Sequence, residues 1–199
     1  MNAFFNSAQR AFTLLALATL PQLLQGMSGA ELNPYWQDTD KAIVRWVFTT
    51  EELLSTTPLE TGDKIIGISF NVVNHSNEPV SFVLAIKMGS INRLQQNPLL
   101  LCSQDLSLET VLNEASCTLA PSYSSTYMSY DHLFDKPFIW NGIDSLVIEQ
   151  QCTEPTHPAI TLEAEQLNTD HIATYGIYKD RPFLLNKRPK IDFLVEHTR

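Results

Sequence analysis

The chain has 199 residues, 44% of them hydrophobic and 18% charged, with 13 basic against 22 acidic side chains and a formal charge of −9. That length is enough for one domain with its own core, and the composition excludes a disordered chain and one that is membrane-like throughout. The acidity argues against nucleic acid and anionic membrane surfaces as partners, because phosphates are held by clustered Lys and Arg. Here basic residues gather only at Lys187, Arg188 and Lys190.

The N-terminus has the layout of an export signal: a short region with Arg10, the apolar run Ala11–Leu20, then Pro21, and the small residues Ser28-Gly29-Ala30 before Glu31. The run is about half the ~20 residues that a membrane helix needs, so no stable membrane span is expected. The sequence therefore predicts a signal peptide over residues 1–30 and a single mature domain over 31–199 that is secreted, periplasmic or held at the cell surface. An N-terminal helix that stays attached is the competing reading. Without residues 1–30, which contain Arg10 and no acid, 12 basic side chains face 22 acidic ones.

The mature part is patterned for strands. Lys41–Thr49 alternates Val44, Trp46 and Phe48 against Arg45. Thr49 and Glu52 then have capping-box spacing, which predicts a helical turn. Lys64–Val73 sets Ile66, Ile68, Phe70 and Val72 on one face, and Val80–Met88 repeats the alternation after the turn-rich stretch Asn74–Pro79. These two runs are expected to pair as an antiparallel hairpin or as adjacent strands. Leu106–Ala115 is expected to form at most a turn or two of helix. Ser145–Gln151 and Pro189–Val195 give further strands, and Tyr175–Tyr178 a weaker one. At least six short strands with proline-rich connections predict an all-β fold, a two-sheet antiparallel β-sandwich.

The order of segments resembles a β-sandwich module common in secreted and cell-surface proteins of Bacteroidetes. The phrases that carry the resemblance are Thr50-Glu51-Glu52-Leu53, Ile65–Val72, Ile86-Lys87-Met88-Gly89, Pro137-Phe138-Ile139-Trp140-Asn141-Gly142, Leu146-Val147-Ile148-Glu149 and Arg188-Pro189-Lys190-Ile191-Asp192-Phe193. Asn141 stands where the module usually has Asp. The resemblance implies a jelly-roll-like sandwich with an accessory role and no shared catalytic residue.

Familiar catalytic signatures are absent from the sequence: there is no G-x-S-x-G elbow, no phosphate-cradling glycine loop, and no pair of histidines with zinc-protease spacing. Asp131-His132 and Asp170-His171 set acid beside base, but sequence neighbours on a strand point to opposite faces. Glu149, Glu163 and Glu165 lie on or near expected strands without an evident partner for glycoside chemistry. No cofactor is predicted. Asp38-Thr39-Asp40 is the one candidate for calcium, and it lacks the glycine turn and further acids of a defined loop.

Cys102, Cys117 and Cys152 fall in the exported part, and Cys102–Cys117 is the expected disulfide because the two are nearest in sequence. Trp36, Tyr123, Tyr127 and Tyr130 form the candidate ligand surface, since exposed aromatic rings among serines suit adaptable recognition. Trp46 and Trp140 are further rings that could stack on sugars if exposed with these, and for Trp140 packing under the Asn141-Gly142 turn is the favoured role. Three functions follow: a non-enzymatic binding or structural module contacting protein or glycan at the cell surface, a carbohydrate-binding module, and a divergent hydrolase.

Overall fold

The computed structural model describes residues 43–56, 59–92, 101, 106–122, 126–153, 160–167, 174–178 and 181–197. The export signal, Trp36 and Asp38-Thr39-Asp40 lie outside them. The described chain is an all-β antiparallel sandwich with one short helix. Its strands are β1 (Ile43–Phe48), β2 (Lys64–Asn74), β3 (Val80–Ile91), β4 (Glu109–Leu119), β5 (Met128–Ile139), β6 (Ser145–Thr153), β7 (Ile160–Leu162), β8 (Ala164–Gln166), β9 (Thr174–Tyr178), β10 (Arg181–Leu185), β11 (Lys187–Pro189) and β12 (Ile191–Glu196); helix α1 is Thr50–Thr56. Among the described residues, no helix is long and apolar enough to cross a membrane.

The larger sheet has the order β10-β9-β1-β6-β3-β4, and the smaller has β12-β2-β5 with β7 paired to the far end of β2. Strands β8 and β11 form a separate pair. All pairings are antiparallel. Alternation decides which side chains meet between the layers. Trp46 of β1 packs edge-on against Phe70 of β2 at 5.8 Å, and Phe48 meets Phe193 of β12 at 5.2 Å. Ile68, Phe70, Leu84, Ile86, Met88, Leu146 and Ile148 fill the core with no exposed surface.

The expected β2–β3 hairpin is not formed. β2 belongs to the smaller sheet and β3 to the larger one, so the Asn74–Pro79 turn carries the chain across the sandwich. Asn74 anchors the crossing: it is fully buried, and its Nδ2 donates to the carbonyls of Glu78 and Leu119, each at 3.2 Å. Two runs with the same alternation are compatible with one sheet or two, and buried polar bonds at the turn decide between them. This interleaving is the jelly-roll-like feature of the topology.

Helix α1 forms as its sequence predicts. Thr49 Oγ1 accepts from the Glu52 amide at 3.2 Å, and Glu52 Oε2 accepts from the Thr49 amide at 2.7 Å, completing a capping box. By contrast, Leu106–Ala115 is not helical: its second half enters β4. Register shifts against β3 fall between Leu84 and Ile86 and between Ile86 and Lys87, and Glu114 adopts a left-handed φ of 47°. Those bulges break the period of two while the ladder to β3 still satisfies the backbone.

Close contacts require glycine at positions 67, 89 and 142. Gly142 has φ +76°, and a Cβ there would lie 2.0 Å from Thr61 Oγ1. At Gly89 a Cβ would lie 2.9 Å from the Ser107 carbonyl, so glycine lets the 107–108 segment cross the larger sheet.

Candidate functional site

Of the four residues expected to form an aromatic ligand surface, Trp36 and Tyr123 lie outside the described residues. Tyr127 is exposed just before β5. Tyr130 is turned toward the interior, 5.0 Å from the His132 ring, and its hydroxyl donates to the Thr118 carbonyl and accepts from the Thr118 amide, both at 3.3 Å. Tyr127 and Tyr130 therefore do not share an exposed plane. Trp46 and Trp140 are fully buried, so neither ring joins an exposed stacking platform, and Trp140 packs internally as favoured.

The expected Cys102–Cys117 disulfide is corrected: Cys117 is a free thiol, and Cys102 lies outside the described residues. Cys117 sits on the inward face of β4, so its side chain faces β5, where its Sγ is 3.8 Å from His132 Nδ1. Among the described residues, no group of three His, Cys, Asp or Glu side chains is placed to hold a metal ion.

Cys117 and His132 resemble a nucleophile and base in composition, but burial favours the neutral form of each. It pushes the Cys117 thiol up, partly offset by a hydrogen bond with Tyr130. Burial also lowers the His132 pKa from 6.5 to about 4, against a smaller upward pull from Asp131. A reactive thiol needs its thiolate stabilised, and these surroundings do the opposite. Asp131 lies on the other face of β5, paired in register with Ser69.

The His132 shift has a measurable consequence. With a native pKa of about 4 against 6.5 when unfolded, the unfolded chain binds more protons as pH falls, so stability is complete above 6.5 and lost toward 4. Denaturant unfolding should show a loss of roughly 3 kcal/mol across that window. It should be largely absent in His132→Phe; an unchanged slope in that variant would show that His132 is not the group responsible.

The three glutamates considered for glycoside chemistry occupy separate structural roles. Glu149 is 4% exposed on the outer face of the larger sheet, where Arg45, Glu149 and Lys87 stand in one cross-strand row on β1, β6 and β3. Arg45 Nη2 lies 2.6 Å from Glu149 Oε2, Lys87 Nζ 2.9 Å from Oε1, and Arg45 Nη1 donates to the Leu101 carbonyl at 2.8 Å. Glu163 accepts from Asn71 at 2.6 Å and from Lys190 at 3.3 Å. Glu165 pairs with Arg188.

Arg188 is the residue whose role the sequence did not disclose. Its guanidinium lies 3.9 Å from the centre of the Phe48 ring and donates to the Val47 carbonyl and to both oxygens of Glu52. It thereby ties β11 to the end of β1 and to the capping box of α1. Burial alone would raise the Glu52 pKa; hydrogen bonds from Arg188 and Thr49 outweigh it and hold the carboxyl below its usual range. The conjunction of Arg188-Pro189 with Thr49-x-x-Glu52 was the only available signal, and their separation of 136 residues hides it.

Two surface features remain. One is a cleft of about 420 Å³ lined by Thr49, Thr50, Glu51, Ile91, Ile143, Asp144 and Ser145, where Thr50 Oγ1 is already bonded to the Ile143 carbonyl at 2.8 Å. The other is the outer face of the smaller sheet. Because Ile68 and Phe70 point inward, the alternate positions face out, giving three cross-strand rows: Glu196-Lys64-Ile139, Leu194-Gly67-Leu133 and Asp192-Ser69-Asp131. Leu133 is 65% exposed and Ile139 61%. Leu194 leans over Gly67, its Cδ1 only 3.1 Å from where a Cβ would sit.

This face has apolar side chains at its middle and upper rows and carboxylates beside them. Lys64 is its one ammonium in those rows, and it is bonded to Glu196 at 2.9 Å. Asp131, Asp192 and Glu196 against Lys64 leave a formal −2. Comparison with known proteins finds no matching family model, no matching curated protein and no matching solved structure.

Proposed function

We propose that this chain is an exported, non-enzymatic binding or structural module that works through protein contacts, and that the outer face of the smaller sheet is its contact surface. The observation that carries this reading is the exposure of Leu133 and Ile139, at 65% and 61%, on one face of a regular sheet. Contiguous apolar surface rimmed by polar groups marks interaction sites in otherwise well-packed proteins. The buried carboxylates and histidine described above are engaged in packing and in ion pairs, which supports a surface role over a catalytic one. A glycan-binding reading draws on exposed Tyr127, and stacking platforms use several rings together.

The test is a photo-crosslinking residue placed at position 133 in the full chain, expressed in the native host, with position 78 on the Asn74–Pro79 turn as control. Position 133 should give a discrete protein adduct that position 78 does not. Equal labelling at both sites, or none at 133, would reject this face as the contact surface.

A further inference from the structure

We infer that the partner surface received by the smaller sheet is a cationic amphipathic helix, rather than a second copy of this chain or a neutral apolar segment. This rests on the protein-contact reading above and adds the partner's charge and form. Sheet faces are covered by helices or by other sheets, because both bury one apolar face against another. The smaller sheet uses its inward face for the core, and on its outward face Leu133, Ile139, Asp131 and Asp192 are exposed beside the buried Gly67 and Ser69.

The spacing of the rows defines the fit. The Lys64 and Gly67 rows are two residues apart on β12, three on β2 and six on β5, because bulges interrupt both ladders, so at the β12 side they stand about 7 Å apart. The Asp192-Ser69-Asp131 row follows two residues later, about 7 Å further on. A helix rising 1.5 Å per residue that crosses the β12 side meets Leu194 and then the Asp192 row about 7 Å further on, which places an apolar and a basic residue about four to five positions apart. Leu194 covers Gly67 in the middle of the sheet, so the apolar surface of that row is Leu194 beside Leu133.

Charge selects against a second copy. The chain carries −9 overall, and the face itself carries Asp131, Asp192 and Glu196 against one lysine. Docking two such faces brings like charges together, which disfavours association, whereas a Lys- or Arg-flanked helix is steered toward them. The edge of β5 is not the docking element. The Asn113 amide donates to Asp135 at 2.9 Å, and Lys136 pairs with Glu109, so that edge is already tied to β4.

The experiment titrates the full chain with fluorescent 18-residue helices of one apolar Leu face and flanks of Lys, Gln or Glu, read by anisotropy at low and high salt. The Lys helix should bind, weakening roughly tenfold in high salt and by a similar factor in Asp131→Asn/Asp192→Asn, since surface attraction is screened. Leu133→Ser should abolish binding, while Glu78→Gln on the remote turn should leave it unchanged.

Equal binding of the Gln or Glu helix, or equal weakening by Glu78→Gln, overturns the proposal. Self-association that depends on Leu133, seen by sedimentation, overturns it in favour of a second copy. If position 133 crosslinks to a protein while salt and Asp131→Asn/Asp192→Asn change nothing, the contact surface stands and its cationic partner does not.

Discussion

Trp140→Ala lowers the unfolding free energy by about 3 to 5 kcal/mol, a large part of the 5 to 15 kcal/mol typical of a domain. Trp140 has no exposed surface, so truncation opens a cavity that the surrounding strands close only in part. The loss extends beyond volume. The indole Nε1 donates to the Asp144 carbonyl at 2.8 Å, the Trp140 amide to the Asp63 carbonyl at 3.3 Å, and the Trp140 carbonyl accepts from Gly62 at 3.1 Å. The indole thus holds the turn between β5 and β6 and is lost in the alanine variant, while the backbone of residue 140, which an alanine keeps, holds the Asp63 turn. Asn141 shapes the second turn, its Oδ1 accepting from Ile143 and Asp144 at 3.1 and 3.0 Å. Trp140→Phe keeps much of the volume but leaves the Asp144 carbonyl without the indole, so it should cost less than the alanine variant. Urea unfolding of both variants checks this. A Trp140→Ala protein with the parent's midpoint would show that the ring is not architectural.

Single-strand alternation made much of this fold legible and left its pairing hidden. β1, β2, β3, β6 and β12 were visible because apolar residues alternate along much of each run, even in β1 and β6, where both faces are buried. The capping box was visible because Thr49 and Glu52 are three apart. β5 escaped because the register to β2 steps from Phe138 to Leu133 while β2 advances only from Ile65 to Gly67, so a long bulge interrupts the period. Pro137 inside that bulge also reads as a strand breaker. The disulfide expectation used closeness in sequence, whereas the strand register turns Cys117 inward toward His132. The candidate face was hidden for the same reason: Leu133, Leu194 and Gly67 come from three strands, and only their alignment makes them neighbours.

Glu149→Leu costs about 3 to 5 kcal/mol, whereas Arg45→Met combined with Glu149→Leu costs far less than those two single changes added. Arg45 is 2% exposed and Glu149 4%, so each charge has been taken from water and depends on its neighbours for compensation. Removing the carboxylate takes from the buried Arg45 guanidinium its ion-pair partner in this row, while the bond to the Leu101 carbonyl remains. Removing both charges eliminates the desolvation cost along with the attraction, and well-packed apolar replacements of buried ion pairs are often neutral or stabilising. Lys87 does not upset this comparison, because its side chain is 39% exposed and its ammonium remains hydrated when Glu149 is lost. A double-mutant cycle by denaturant unfolding gives the coupling directly. The single substitution should be the least stable protein of the set containing it and the double. A Glu149→Leu cost under about 1 kcal/mol would place the pair with ordinary surface ion pairs. A double variant as damaged as the sum of both singles would mean that the charges act independently, and the row Arg45-Glu149-Lys87 would then not be the unit that holds β1, β6 and β3 in register.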